Sequence, residues 1–397
     1  MTRRIVIGAM GILFFVQACA ETPLQPTQPV SRLAATDAAG YVATDLGSIG
    51  SGYYGWAIDL NDAGQVVGID LTPSFAFHTF LWERGAIKDL GALDGCCSNP
   101  VAINPQGQIV GDYFNANGWG RAFILLRDGM TDLGSFNQTC CGITVHGINA
   151  RGQAVGSSPT RATGLPTEHA FLWQNGVMAD LGTLSSDPFA VSDAAAINDA
   201  GQVVGSSYAG NNQSHAFRWQ NGVMTDLGTL AGGVSSGATA INAAGQVAGF
   251  SVSFTPTFQQ IAFLWSNGQM TPLGTLGGYY TTAVKLNDRG DVIGNSLTAS
   301  GENHAFIWRD GVITDLGTLG GTWSNAKDVN NRGEVVGTSG TASGWGHAFV
   351  WRDGVMYDLG TLGGNFSEAN AINAAGQIAG AAEINGIGYH PTLWTRK

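Results

Sequence analysis

The sequence predicts an all-β fold assembled from eight copies of one small unit, and three observations carry that expectation. Asn recurs at positions 61, 104, 149, 198, 242, 287, 330 and 373, at intervals of 43 to 49 residues. Each Asn is followed by Gly three residues later (64, 107, 152, 201, 245, 290, 333, 376) and by a second Gly seven residues later (68, 111, 156, 205, 249, 294, 337, 380). The composition is 44% hydrophobic and 12% charged, with 59 glycines. Disorder needs low hydrophobicity and high net charge; this profile belongs to short apolar strands joined by tight turns.

Taken in chain order, the first element is a targeting segment. Arg3 and Arg4 form a positive start, and Ile5 to Val16 form an apolar run too short to span a bilayer. Residues 1–18 therefore read as a signal peptide. Val16-Gln17-Ala18-Cys19 resembles a bacterial lipobox, which would make Cys19 the lipidated N-terminus of the mature chain. Ala18-Cys19-Ala20 also reads as an ordinary small-residue cleavage site, so anchoring as a lipoprotein and simple secretion both stay open. Either route places the mature protein outside the cytoplasm, in the cell envelope or beyond it. Residues 19–40, with Pro23, Pro26 and Pro29 among polar residues, read as a flexible linker.

Residues 41–397 hold the repeat. In the unit 326–360, Ala326 to Asn330 reads as strand a and Asn330-Asn331-Arg332-Gly333 as a tight turn. Glu334 to Thr338 reads as strand b, and a variable loop follows. His347 to Trp351 reads as strand c, Arg352-Asp353-Gly354 as a second turn, and Val355 to Gly360 as strand d. Nothing in the unit has a helical period. Four strands in this length match one blade of a β-propeller. The last unit stops after a strand c at Pro391 to Trp394, and the domain begins at Tyr41 to Gly47 with a spare strand d. The expected fold is thus an eight-bladed β-propeller of four-stranded antiparallel blades, closed by an N-terminal strand that completes the last blade. An open array would leave that terminal edge unpaired.

The motif His-Ala-Phe stands at 169–171, 215–217, 304–306 and 347–349, and Asp-Leu-Gly-Thr-Leu-Gly-Gly at 315–321 and 358–364. On these residues the chain resembles the bacterial extracellular repeat family named for its His-Ala-Phe (HAF) signature, over roughly residues 41 to 397. The resemblance implies export and repetition. It implies no catalytic residue, because the family has no established activity.

Six of the seven histidines hold one repeat position: His78, His169, His215, His304, His347 and His390; the other two units have Arg121 and Ile261. Eleven residues on stands an Asp (89, 132, 180, 226, 315, 358), with Asp45 serving the last unit. The unit with Ile261 has Pro272 in place of Asp, so both partners are lost together. A carboxylate left without its partner is costly, and joint loss is the cheaper change. A structural pair across the c–d hairpin is expected, typified by His304 and Asp315, in a register centred on the two residues after Trp. Six histidines spread round a ring do not converge on one metal ion, so no metal and no cofactor is expected. Trp82, Trp173, Trp219, Trp265, Trp308, Trp351 and Trp394 share another repeat position and read as packing residues.

The a–b and c–d turns are nearly invariant, whereas the b–c and d–a loops vary. Function tends to sit on variable loops carried by a rigid scaffold. The ligand-binding candidates on that face are Tyr54, Tyr280, Trp323 and Phe366 in d–a loops, with Trp119 and Trp345 in b–c loops. Cys96, Cys97, Cys140 and Cys141 lie in successive d–a loops as disulfide candidates. Formal net charge is −11, and Lys and Arg total 18 without a basic cluster, which argues against nucleic acid. The function expected is a monomeric, non-enzymatic binding or adhesion module for an extracellular ligand, a glycan or a surface protein. Two alternatives are a secreted polysaccharide-acting enzyme, with acids among Asp94, Asp112, Glu168, Asp187, Asp193 and Glu302, and a purely structural surface protein.

Overall fold

The structure is a computed structural model that describes residues 34–36, 40–50, 52–93, 95, 97–126, 129–137, 142–160 and 167–397. The signal peptide, Cys19, Asp94, Cys96, Cys140 and Cys141 lie outside the described residues, as does most of the linker. The described residues contain strands and no helix. The strands form five four-stranded sheets, one of five strands and one of eight. The eight-stranded sheet is two four-stranded antiparallel groups, 235–272 and 277–315, joined at a single parallel pair, Gln260 and Tyr280. This is β-propeller architecture: antiparallel four-stranded sheets in chain order, each packed on the next.

The repeated residues explain themselves locally. Asn330 Oδ1 accepts from the amides of Arg332 and Glu334, while Gly333 turns at φ 77° to close the a–b hairpin. The same Asn reaches onward, its Nδ2 donating to Asn373 O at 3.2 Å. Each of the eight Asn side chains makes this link to the next unit, and Asn373 makes it to Asn61 O at 3.1 Å. The second Gly of the motif serves close approach. A Cβ on Gly337 would lie 1.9 Å from Asn325 O and 3.0 Å from the Phe349 ring.

Every strand a carries a β-bulge at one place, for example between Ala57 and Asp59 and between Ala326 and Asp328. The hydrophobic core lies between successive sheets. In one layer Ile293, Ala305 and Ile307 of one unit pack on Val335, Phe349 and Trp351 of the next. The Phe of the His-Ala-Phe position is fully buried in seven units (Phe80, Phe123, Phe171, Phe217, Phe263, Phe306, Phe349). Each such side chain contributes about 2–3 kcal/mol through burial.

The strand Tyr41–Asp45 pairs antiparallel with Gly388–Arg396, placing Tyr41 opposite Arg396 and Asp45 opposite Thr392. A further strand, Ala34–Thr36, pairs outside Tyr41–Asp45 within the segment expected to be linker. The sequence hid it because Ala-Ala-Thr has no alternating apolar pattern.

Candidate functional site

The His–Asp positions meet as side chains, in a register that differs from expectation. His304 Nδ1 lies 2.8 Å from Asp315 Oδ2, but Asp315 sits opposite Phe306 rather than opposite His304. The hairpin turns on Asp310-Gly311, one residue later than expected, and Asp310 takes φ 50° there. A shift of two in pairing keeps both side chains on one face and makes the contact diagonal. Asp315 Oδ1 also accepts from Gly317 N at 2.7 Å. Equivalent contacts join His78–Asp89, His169–Asp180, His215–Asp226, His347–Asp358 and His390–Asp45, and Arg121 bonds Asp132 at 2.6 Å. The hydrogen bond that His347 Nδ1 donates to Asp358 holds His347 above its usual range. These pairs tie strand c to strand d and face no common centre.

The bulge in strand a decides what faces the axis. The residue two before each motif Asn lines an axial cavity of about 500 Å³: Asp59, Ala102, Gly147, Ala196, Ala240, Lys285, Asp328 and Ala371. Five of these are Ala or Gly and three are charged. Asp59 accepts from Ile103 N and Asp328 from Ile372 N, both at 2.9 Å, so each carboxylate also joins its unit to the next. Burial raises Asp59 to about 6 and raises Asp328, while Lys285 pulls both down. His146, in the same cavity, lies 3.5 Å from Asp193 Oδ2. Burial likewise raises Asp112 to about 6.

The face with the b–c and d–a loops carries the aromatic side chains. Every strongly exposed aromatic among the described residues is there: Tyr53, Tyr54, Phe75, Phe114, Trp119, Phe189, Phe254, Phe258, Tyr279 and Trp345. Among the described residues the opposite face exposes only valines as large apolar side chains, Val177, Val223, Val312 and Val355, each just after a c–d turn.

The six aromatic candidates separate into three situations. Tyr54 and Phe366 join through Tyr389: Tyr54 lies 6.2 Å and Phe366 5.5 Å from its ring, with Trp56 stacked 5.8 Å away. This cluster spans the last and first units. Trp323 and Phe366 share a pocket of about 450 Å³ with Asn295, Asn325, Lys327, Thr338 and Glu368. Trp119, Tyr280 and Trp345 make no ring contact with another aromatic among the described residues; Trp119 and Trp345 are 39% and 51% exposed, and Tyr280 is half-buried. Cys97 is half-buried at the start of its strand, opposite Phe114. Of the candidate acids, Glu168 and Asp193 line one small cavity of about 200 Å³.

Sequence reasoning missed Asp59, Lys285, Asp328, Lys327 and Glu368. Their signal is departure from the repeat: Asp59, Lys285 and Asp328 are charged at the axial position where the other units carry Ala or Gly, and Lys327 and Glu368 are charged where most other units carry an uncharged residue. Among the described residues, no group of three or more His, Cys, Asp or Glu is placed to hold a metal, and no helix is long and apolar enough to cross a membrane.

No family model and no curated protein matches the chain. Solved structures do resemble it. One is the Pyrococcus horikoshii acylaminoacyl peptidase, 13% identical, matched over 84% of this chain and 59% of that one, with a TM-score of 0.49. Another is a Mycobacterium tuberculosis puromycin-hydrolyzing peptidase, 11% identical, matched over 91% and 60%, with a TM-score of 0.49. The β-propeller domain of the Trilobed protease from Pyrococcus furiosus is 12% identical, matched over 85% and 98%, with a TM-score of 0.47. The chain thus spans about three fifths of either peptidase. The expectation of a chain without enzymatic activity is not retained, since two of these structures are peptidases.

Proposed function

We propose that this chain is an exported eight-bladed β-propeller of the HAF-repeat kind, closed by its N-terminal strand, which binds an extracellular ligand through the b–c and d–a loop face. Closure is supported by the pairing of Tyr41–Asp45 with Gly388–Arg396 and by the Asn373–Asn61 link, which repeats the link between every other pair of consecutive units. The axial cavity lined by all eight units supports the same reading.

The observation that carries the function is the segregation of exposed aromatics. Among the described residues ten lie on one face and none on the other. Exposed aromatics gathered on one side, among polar loops, mark a contact surface, because rigid rings supply contact area at low entropic cost. Export follows from residues 1–18, and Cys19 is the position for a lipid anchor.

The test compares the two faces. The purified chain is screened on glycan arrays and against immobilised envelope proteins, and each hit is re-measured with two double variants. Trp119→Glu with Trp345→Glu alters the loop face; Val223→Glu with Val355→Glu alters the opposite one. The reading expects loss of binding in the first and retention in the second. Loss confined to the second would overturn it.

A further inference from the structure

We propose that the pocket between Trp323 and Phe366 is a subsite for a pyranose sugar; the proposal rests on the loop-face reading above. The first reason is how Trp323 is seated. Its indole passes over two glycines: a Cβ on Gly340 would lie 2.8 Å from Trp323 Nε1, and one on Gly346 would lie 3.2 Å from Cη2 and 3.1 Å from the Phe366 ring. Gly340 and Gly346 pair across strands b and c. The equivalent pairs in the two neighbouring units are Leu297 with Asn303 and Glu383 with Tyr389. The seat therefore belongs to this unit alone of the three. One side of the ring rests on backbone and the ring stays half-exposed, which makes it a platform for a flat apolar surface.

The second reason is the polar lining. Asn295 Oδ1 accepts from Ala326 N at 2.9 Å, and Asn325 Oδ1 accepts from Asn303 Nδ2 at 2.7 Å. Each amide oxygen already accepts one framework hydrogen bond, which leaves the NH2 groups of these two lining residues as donors for a ligand. Lys327 adds a cationic donor and Thr338 a hydroxyl. Glu368 is the acceptor. Burial raises its carboxyl, and its hydrogen bond from Asn370 is 3.5 Å long, with Lys327 the nearby cation. A half-buried carboxylate with weak partners gains from a ligand that supplies donors. The pocket thus offers one aromatic platform, several donors and one acceptor.

A pyranose meets that pattern with a C–H face for the indole and hydroxyls that both donate and accept. A nucleobase would also stack, but a chain of net charge −11 repels the attached phosphates. The volume suits one or two sugar residues, within the roughly 300–1,000 Å³ of small-molecule clefts.

The full exported chain is screened against an array of pyranosides, and hits are titrated as methyl glycosides by tryptophan fluorescence and calorimetry. We expect Trp323→Ala and Glu368→Gln each to weaken binding about tenfold or more, Trp323→Phe to retain most of it, and all three to unfold at the wild-type temperature. Sugar binding unchanged in Trp323→Ala and Glu368→Gln, yet lost in the Trp119 and Trp345 variants, would overturn this subsite and leave the loop-face reading standing. No pyranoside bound at about 10 mM would overturn the sugar, and the protein arm of the face comparison would then decide the parent reading. Equal losses in Trp323→Ala and Trp323→Phe would also refute the platform.

Discussion

Replacing Asn373 by Ala tests whether the last unit is tied to the first as each unit is tied to its successor. Asn373 is buried; its Nδ2 donates to Asn61 O at 3.1 Å and to Gln377 Oε1 at 2.8 Å, and its Oδ1 accepts from Gln377 N at 2.9 Å. Each such bond contributes about 1 kcal/mol net, and a buried carbonyl stripped of its donor costs about 1–3 kcal/mol. The expected loss is therefore about 3–5 kcal/mol. Asn198 is the comparator inside the chain, donating to Asn242 O at 2.9 Å and to Gln202 Oε1 at 2.7 Å. In a closed ring the two substitutions cost the same within about 1 kcal/mol, because distant equivalent sites behave alike. Urea unfolding followed by tryptophan fluorescence reads the difference as a shift in midpoint, with the slope checked for constancy. An array with free ends would leave the carboxamide of Asn373 in water. A loss under about 1 kcal/mol for Asn373→Ala, beside the full loss for Asn198→Ala, would refute the tie and with it the eight-bladed closure.

Three further outcomes follow from the same geometry. His390 and Asp45 are 6% and 3% exposed, whereas His304 and Asp315 are 16% and 40% exposed; double-mutant cycles should give a coupling of about 2 kcal/mol for the first pair and about 0.5 kcal/mol or less for the second, which water screens. Equal couplings would remove the burial argument. His347 is held above its ordinary 6.5 by its hydrogen bond to Asp358. A raised folded value means the contribution is complete below pH 6.5 and fades as pH rises through the folded value, so melting temperature should fall between pH 6 and 9 more steeply in wild type than in His347→Gln; parallel curves would contradict it. Gly205→Ala would place a Cβ 1.9 Å from Asp193 O, whereas a Cβ on Gly147 meets nothing within 4 Å. The first should destabilise by about 3 kcal/mol or more and the second be tolerated, as judged by thermal melts.

What the sequence made legible was whatever every unit must repeat. The Asn, both glycines and the buried Phe each answer a local demand: a turn, a close approach, a layer between sheets. Eight copies turned those demands into a pattern. The c–d register was misplaced by one position because Arg309-Asp310-Gly311 allows two turn centres, and only the positive φ of Asp310 chooses between them. The strand Ala34–Thr36 was invisible for lack of an apolar pattern.

The candidate site was legible in part, for a reason that runs opposite to the fold. A ligand needs asymmetry, so its contacts must lie where one unit departs from the others. Trp323 and Phe366 stand out as aromatics among small and polar residues, although Trp323 lies within the strand Gly320–Val329 rather than in a d–a loop and Phe366 directly precedes the strand Ser367–Ile372. Lys285, Asp328, Lys327 and Glu368 were missed because each sits in a strand, whereas contacts were expected on the variable loops. The bulge after Ala326 shows why that reading fails. It turns Asp328 toward the axis and brings it next to Ile372 N of the following unit, so a position that would otherwise pack between sheets becomes part of a cavity wall. In a repeat fold the residues shared by all units specify the scaffold. The charged exceptions at axis-facing positions are where a search for chemistry should begin, and two of them, Lys285 and Asp328, fall in consecutive units and directly follow Val284 and Lys327, which line the Trp323 pocket.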